Sequence, residues 1–412
     1  MNVRGISYFA LHIALLSGVS FSALAQSAPS TVLNEQINLG DTFATMDVVV
    51  QSGADGDVTS DALAAGNVIS GEAAVASGSV TDSLQVTSGD SQAAATLEGG
   101  FIAGAATVSS TSYGNSSLWR EYEGDTIGQD TQSGAQITSN ATATDTSSDS
   151  LAVSAVATAN ITDLGYNEGD FTTTANQVAN AFVAAQAEID GCCTNETTSA
   201  TSAAIANSYQ SFSSNATAVA NVSQFSTGPS ITGTTNVDQD ETPLLAAAST
   251  ASANNIVVNN EWGYAQLTGE QSNTSAVSAT TTVTLDDWTD SADTSAYGVG
   301  NAIILTTIGA STEVFYEQSN TGDISATTSF DGSSNASGAA STAATAVGNA
   351  YTGYVCTTCA PGAAGGEISQ FNSGTITASG QLNASGAGNV FGSASAIGNT
   401  ASFTTAPANT GD

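Results

Sequence analysis

The chain has 412 residues, with 37 Asp or Glu against two Lys or Arg and one His, a formal net charge of −35. A chain this acidic repels nucleic acid and anionic membrane surfaces, which excludes nucleic acid as a partner. There is no Lys, and His12 and Arg4 both precede Gln26, so from Gln26 onward Arg120 is the one basic side chain. This excludes Ser-His-Asp and Cys-His nucleophiles, imidazole metal sites, P-loops and Schiff bases, and leaves carboxylate chemistry of the glycosidase or lyase kind as the catalytic option.

Residues 1–25 read as an export leader. Arg4 supplies a positive start, an apolar run extends from Ile6 to Phe21, and Ala23-Leu24-Ala25 forms a cleavage signal with the cut expected after Ala25. The run is short for a membrane span, and no later stretch is apolar enough to serve as one. No Cys follows the expected cut, so the chain is not expected to be a lipoprotein. A short leader (26–33), a repeat domain (34–405) and a C-terminal tail (406–412) follow.

The repeat domain announces itself through asparagine. Asn67, Asn115, Asn160, Asn207, Asn254, Asn301, Asn349 and Asn399 each end an alternating run of small residues, at separations of 48, 45, 47, 47, 47, 48 and 50. One, three and five positions before each of them stands Gly, Ala or Ser, while the positions between vary freely. Restriction at every second residue is the mark of a strand with one tightly confined face. A second landmark precedes each Asn, at separations of 28 to 31: Gln36, Gln85, Gln132, Gln177, Gln224, Gln271, Gln318 and Gln370. "QINLGDTFA", "QSNTGDISA" and "QFNSGTITA" place a Gly turn after the Gln and a second strand after the turn. The helical-looking window "TANQVANAFVAAQAEI" (174–189) matches this register and is expected to be strand.

A unit of about 47 residues with two or three strands cannot bury a core alone, but stacked copies can. The expectation is an all-β, elongated β-solenoid of eight such repeats, with one or two coils per repeat and a length of roughly 40 to 80 Å at the strand spacing of ~4.8 Å. Stacked Gln and Asn would form amide ladders along its axis. Small residues face inward and Gly-Asn is expected to turn the chain.

Four cysteines stand at Cys192-Cys193 and Cys356-Thr-Thr-Cys359. An exported chain meets an oxidising compartment, so Cys356 and Cys359 are expected to close a local disulfide across an insertion in the eighth repeat, while the pairing of Cys192 and Cys193 stays open. The acids are scattered, with small clusters at "DQDET" (238–242) and "LDDWTD" (285–290). Calcium-binding nonapeptides are missing, so no metal site and no cofactor are assigned.

The Gln-x-Asn-x-Gly-x-Ile-x-Ala and Ala-x-Ala-x-Gly-Asn units, in a secreted chain without Lys, resemble the bacterial holdfast anchor family of stalked alphaproteobacteria, the D member of the holdfast attachment system. The likeness spans roughly 34–405. Curlins are more distantly similar, although the unit here is about twice theirs and their Gln-x-Gly-x-x-Asn order is not kept. The resemblance implies a non-enzymatic anchor on the outer surface of the outer membrane at one cell pole. It would tether adhesive holdfast polysaccharide beside a curlin-like subunit and a curli-pore-like lipoprotein. Tyr351, Tyr354, Trp262 and Phe371 are candidate sugar contacts, though packing is the expected role for any one of them. Two other readings stand beside the anchor: a self-associating, curli-like amyloid subunit, and a β-helical polysaccharide lyase or hydrolase using carboxylates with Arg120.

Overall fold

The computed structural model describes residues 30–51, 53–72, 79–120, 124–308, 311–334, 338–356 and 363–406. The export leader, its cleavage at Ala25 and most of the tail lie outside the described residues, as does Cys359.

The chain winds into eight coils, one per repeat. The first holds β1 (Ser30–Asn38), β2 (Thr42–Val49) and β3 (Val58–Glu72). The next five each hold a short and a very long strand: β4 (Ser79–Thr87) with β5 (Ser91–Arg120), β6 (Gly124–Thr131) with β7 (Gln136–Asn167), β8 (Phe171–Ala179) with β9 (Phe182–Ser214), β10 (Ala218–Ser226) with β11 (Ser230–Glu261), and β12 (Ala265–Asn273) with β13 (Ala276–Ile308). In the last two the long strand is divided: β14 (Thr312–Asn320), β15 (Ile324–Ser333) and β16 (Ala339–Cys356), then β17 (Ala364–Asn372), β18 (Ile376–Ser385) and β19 (Asn389–Ala406). There is no helix among the described residues, and the window 174–189 forms the end of β8 and the start of β9.

All pairing is parallel and advances one coil at a time. The short strands form an eight-stranded sheet in the order β1-β4-β6-β8-β10-β12-β14-β17, and the long ones an eleven-stranded sheet. One coil per repeat at ~4.8 Å gives an axial length of about 40 Å, the short end of the expected range. The long strands bend without losing their partners, through register shifts such as those between Ile102 and Ala105 and between Thr242 and Leu244.

Two apolar cores run parallel to the axis. The larger lies between the two arms of each long strand and is built from Ala, among them Ala93, Ala95, Ala155, Ala157 and Ala204, with interspersed Ile, Leu and Val such as Val108, and the Trp288–Phe330 pair. This is where the alternating small residues point. The smaller lies between the short-strand sheet and the last arm, and holds Trp119, Leu164, Tyr209, Ile256, Leu305, Tyr316 and Tyr351. At the boundary the period-two pattern slips: Ala159 and Asn160 are both buried, as are Ala206 and Asn207. The small-residue–Asn pair therefore does not turn the chain. It lies inside a continuous strand, at a kink that aims two consecutive side chains inward.

The turn after each short strand shows why Gly recurs there. A Cβ on Gly322 would sit 2.0 Å from the Ser275 carbonyl oxygen of the coil before, and one on Gly374 would sit 2.0 Å from the Gly322 oxygen. Successive turns nest too closely for a methyl group. Gly322→Ala is expected to lower the denaturant midpoint by an amount equivalent to about 1–3 kcal/mol. Gly365→Ala, which meets nothing within 4 Å, is expected to leave it unchanged.

Candidate functional site

The seam between the two cores is polar, and nearly every group in it is satisfied by an equivalent group one coil away. Each ladder Asn donates through Nδ2 to Oδ1 of the next: Asn67 to Asn115, on through Asn160, Asn207, Asn254, Asn301 and Asn349, to Asn399, at 2.7–2.9 Å. A second row runs the opposite way. Gln370 donates to Gln318, and so on through Gln271, Gln224, Gln177, Gln129 and Gln85 to Gln36, also at 2.7–2.9 Å. The remaining amide hydrogens lock the rows together. Gln224 Nε2 reaches the Asn255 carbonyl at 3.0 Å, and Asn207 Nδ2 reaches the Phe225 carbonyl at 2.9 Å. The same pair of bonds recurs at Gln85 with Ser116 and Asn254 with Ser272. The Gln of one repeat thus ties to the strand carrying its own Asn, and the Asn ties to the short strand of the next repeat.

This geometry corrects one assignment. In the third coil the ladder position is Gln129, paired with Gln85 on one side and Gln177 on the other. Gln132 lies in the following turn, where its backbone N–H donates to the Thr87 carbonyl at 2.8 Å. A shorter third row, Asn273 to Asn320 to Asn372 at 2.7 Å, sits at the turn. Its signal was the Gln-x-Asn spacing of the quoted motifs. The two arms of the long strand are tied by hydroxyls, as in Ser112 to Ser91, Ser139 to Ser110 and Thr281 to Ser249.

The candidate sugar contacts divide. Tyr351 is 2 % exposed and belongs to the smaller core, so it is a packing residue. Trp262, Tyr354 and Phe371 are exposed at 51, 36 and 55 % and lie on three separate elements. Trp262 occupies the turn between β11 and β12 with φ of 63°, a left-handed conformation uncommon for a bulky residue. The outward face also carries a polar column in which Asp190, Asp238, Thr284, Asp331 and Asn383 follow one another across neighbouring strands. Asn383 Nδ2 donates to Asp331 at 2.7 Å. A shallow depression on this face is lined by Glu188, Asp190, Asn236, Asp238, Thr282 and Thr284.

Arg120 lies against Gly165, and its charge opposes the upward pressure that burial puts on the Asp163 carboxyl. Cys192 and Cys193 form a disulfide with each other. Asp240 lies beside them, with ligand-type atoms of all three within 4.8 Å, but both sulfurs are committed to the bridge. Cys356 is also disulfide-bonded. No helix among the described residues is long and apolar enough to cross a membrane.

Buried phenols give the fold an alkaline limit. Desolvation raises Tyr351 from 10.0 to about 12, and its hydroxyl has no hydrogen-bond partner among the described residues. Tyr316 is pushed well above the usual tyrosine value by burial and then by the Glu270 charge. The folded chain keeps these protons where the unfolded chain releases them, so stability falls as pH rises. It is expected to be intact below pH 10 and lost progressively between 10 and about 12. An unfolding-midpoint series across that range checks this, and Tyr351→Phe should flatten the decline.

No curated protein and no solved structure matches the chain. A family model described as Holdfast attachment protein D matches residues 52–323. That span runs from the first coil into the seventh and takes in six of the eight ladder asparagines, and the same registers continue through the eighth coil. The chain belongs to the Holdfast attachment protein D family.

Proposed function

We propose that this holdfast attachment protein is a non-enzymatic tether that holds the adhesive holdfast polysaccharide to the outer membrane. The observation that carries the reading is how the polar groups are spent. Inside the coils the ladder Gln and Asn side chains are committed to one another, which makes a rigid scaffold. The hydroxyl, amide and carboxylate groups left over stand in outward columns spaced by the strand separation. Such a surface suits a repeating polyhydroxylated polymer better than a single small substrate.

In this reading the protein is exported to the cell surface at one pole. It reaches the membrane through a curlin-like subunit and a curli-pore-like lipoprotein rather than by a span of its own. The test is deletion of the gene, scoring surface attachment and staining separately for adhesive held on cells and adhesive released to the medium. Non-adherent cells with shed adhesive are expected. Normal attachment with cell-bound adhesive would overturn the proposal.

A further inference from the structure

Among the described residues, the two ends of the solenoid are unpaired and complementary. At the N-terminal end, β1, β2 and β3 each have a neighbour on one side alone, and so have β17, β18 and β19 at the C-terminal end. Unpaired strand edges of this kind template addition of further strands. Because the two amide rows run in opposite directions, each end is left with one unused donor and one unused acceptor. Asn67 Oδ1 receives no hydrogen bond from any described residue, and Gln36 Nε2 donates to the Val68 carbonyl alone. At the other end Gln370 Oε1 likewise receives none, and Asn399 Nδ2 makes just a long 3.5 Å contact with the Gln370 carbonyl.

We propose that copies of this protein stack end to end along the solenoid axis, the C-terminal coil of one on the N-terminal coil of the next, with both ladders continuing across the junction. Asn399 then donates to Asn67 of the following copy, and Gln36 of that copy donates back to Gln370. The partner is a second copy of this chain, and the inference does not depend on what the outward face binds.

Shape and charge support the same junction. Next to the C-terminal end lies a cavity of about 290 Å³ whose lining includes Val314, Tyr351, Gly366, Ile368, Ala401 and Phe403. It exists because Ala401 follows Tyr351 in its column and leaves the space above unfilled. That column begins at Ile69, and the neighbouring one runs from Gly71 to Phe403. Continuing the register sets Ile69 over Ala401 and the bare Gly71 over Phe403. Phe371 and Ile37, both more than half exposed, become neighbours. In a chain of net charge −35, the described part of the last coil (363–406) carries a single acid, Glu367, so little repulsion opposes docking there. Head-to-head contact that brings each row onto itself would set acceptor against acceptor and donor against donor.

Two isosteric variants test the polarity. Asn399→Asp keeps the acceptor that serves Asn349 but removes the outward donor; Gln36→Glu does the same at the other end while keeping the acceptor for Gln85. In sedimentation velocity and electron microscopy, the unmodified protein should form rods that lengthen with concentration. Each variant alone should be a monomer, and an equimolar mixture should give dimers and nothing longer. Ala401→Asp, on the exposed end coil, should behave as Asn399→Asp does. Far-ultraviolet circular dichroism verifies that each variant is folded. The proposal is overturned by an unmodified protein that stays monomeric at every concentration, or by single variants that each form dimers on their own, which is the mark of head-to-head pairing.

Discussion

Asn254→Leu is expected to destabilise the fold by about 3 kcal/mol or more, although Leu is close to Asn in volume. Asn254 takes part in three bonds of the seam: it accepts from Asn207 at 2.8 Å, donates to Asn301 at 2.7 Å, and donates to the Ser272 carbonyl at 3.0 Å. Removing its amide leaves one donor and two acceptors unpaired in a site where Asn207, Asn254 and Asn301 are all fully buried. Each orphaned group costs roughly 1–3 kcal/mol, which outweighs anything a buried Leu contributes in return. Each coil contacts just its neighbours, so a broken rung in the middle weakens two interfaces at once. The comparison is Asn255→Leu, one residue along and half-buried, whose side chain makes no bond in the seam; it should stay within about 0.5 kcal/mol of the unmodified protein. Urea titration followed by circular dichroism reads both. Equal shifts in the two variants would mean that the ladder does not hold the coils together.

The repeat was legible in the sequence because a ladder tolerates no substitute. A buried amide row needs an amide at every rung, and the narrow core beside it admits only small residues, so Asn and the alternating Gly, Ala and Ser stand out at every coil. The miss at Gln132 shows what limits this. The path from the ladder Gln to its Asn crosses one turn and the two packed arms, and the separation is held between 29 and 31 once Gln129 takes its place before Asn160. The path from an Asn to the next Gln crosses an outer corner where insertions cost little. There the separation is 14 before Gln129, 17 or 18 in five other coils, and 21 before Gln370. Gln132 keeps the common corner separation of 17 from Asn115 but stands 28 before Asn160, outside the range the arms allow.

Other features depend on what lies above and below, which a single coil's sequence does not state. Gly-Asn reads as a turn by composition, yet its neighbours hold it extended. Tyr351 reads as either a sugar contact or a packing residue, and its burial in the smaller core, stacked on Ile303 of the coil below, decides for packing. The Cys192–Cys193 bridge joins adjacent residues, so no spacing pattern announces it.

Removing one whole coil is expected to matter less than removing half of one. Deleting residues 218–264 takes out β10 and β11 and joins Thr217 to Ala265, the residue that pairs with Ala218 in the intact stack. Gln271 then meets Gln177, Asn207 meets Asn301, and the turns nest as before. The shortened protein should keep its β spectrum and a cooperative unfolding transition, with a somewhat lower midpoint because one coil's worth of interface is gone. Deleting 218–240 instead removes the short strand with its Gln and the first arm of β11. The second arm of β11, still carrying Asn254, is left without the short strand and arm that close its coil. Both cores then open at that level, and the two halves of the stack lose their shared register. Because parallel pairing is dictated by the ladders rather than by local turns, no slip of the chain repairs this without burying unpaired amides. Loss of cooperative unfolding and ready proteolysis are expected for the half-coil deletion. If both deletions unfold alike, the stack is not modular; if both fold alike, the amide rows do not set the register.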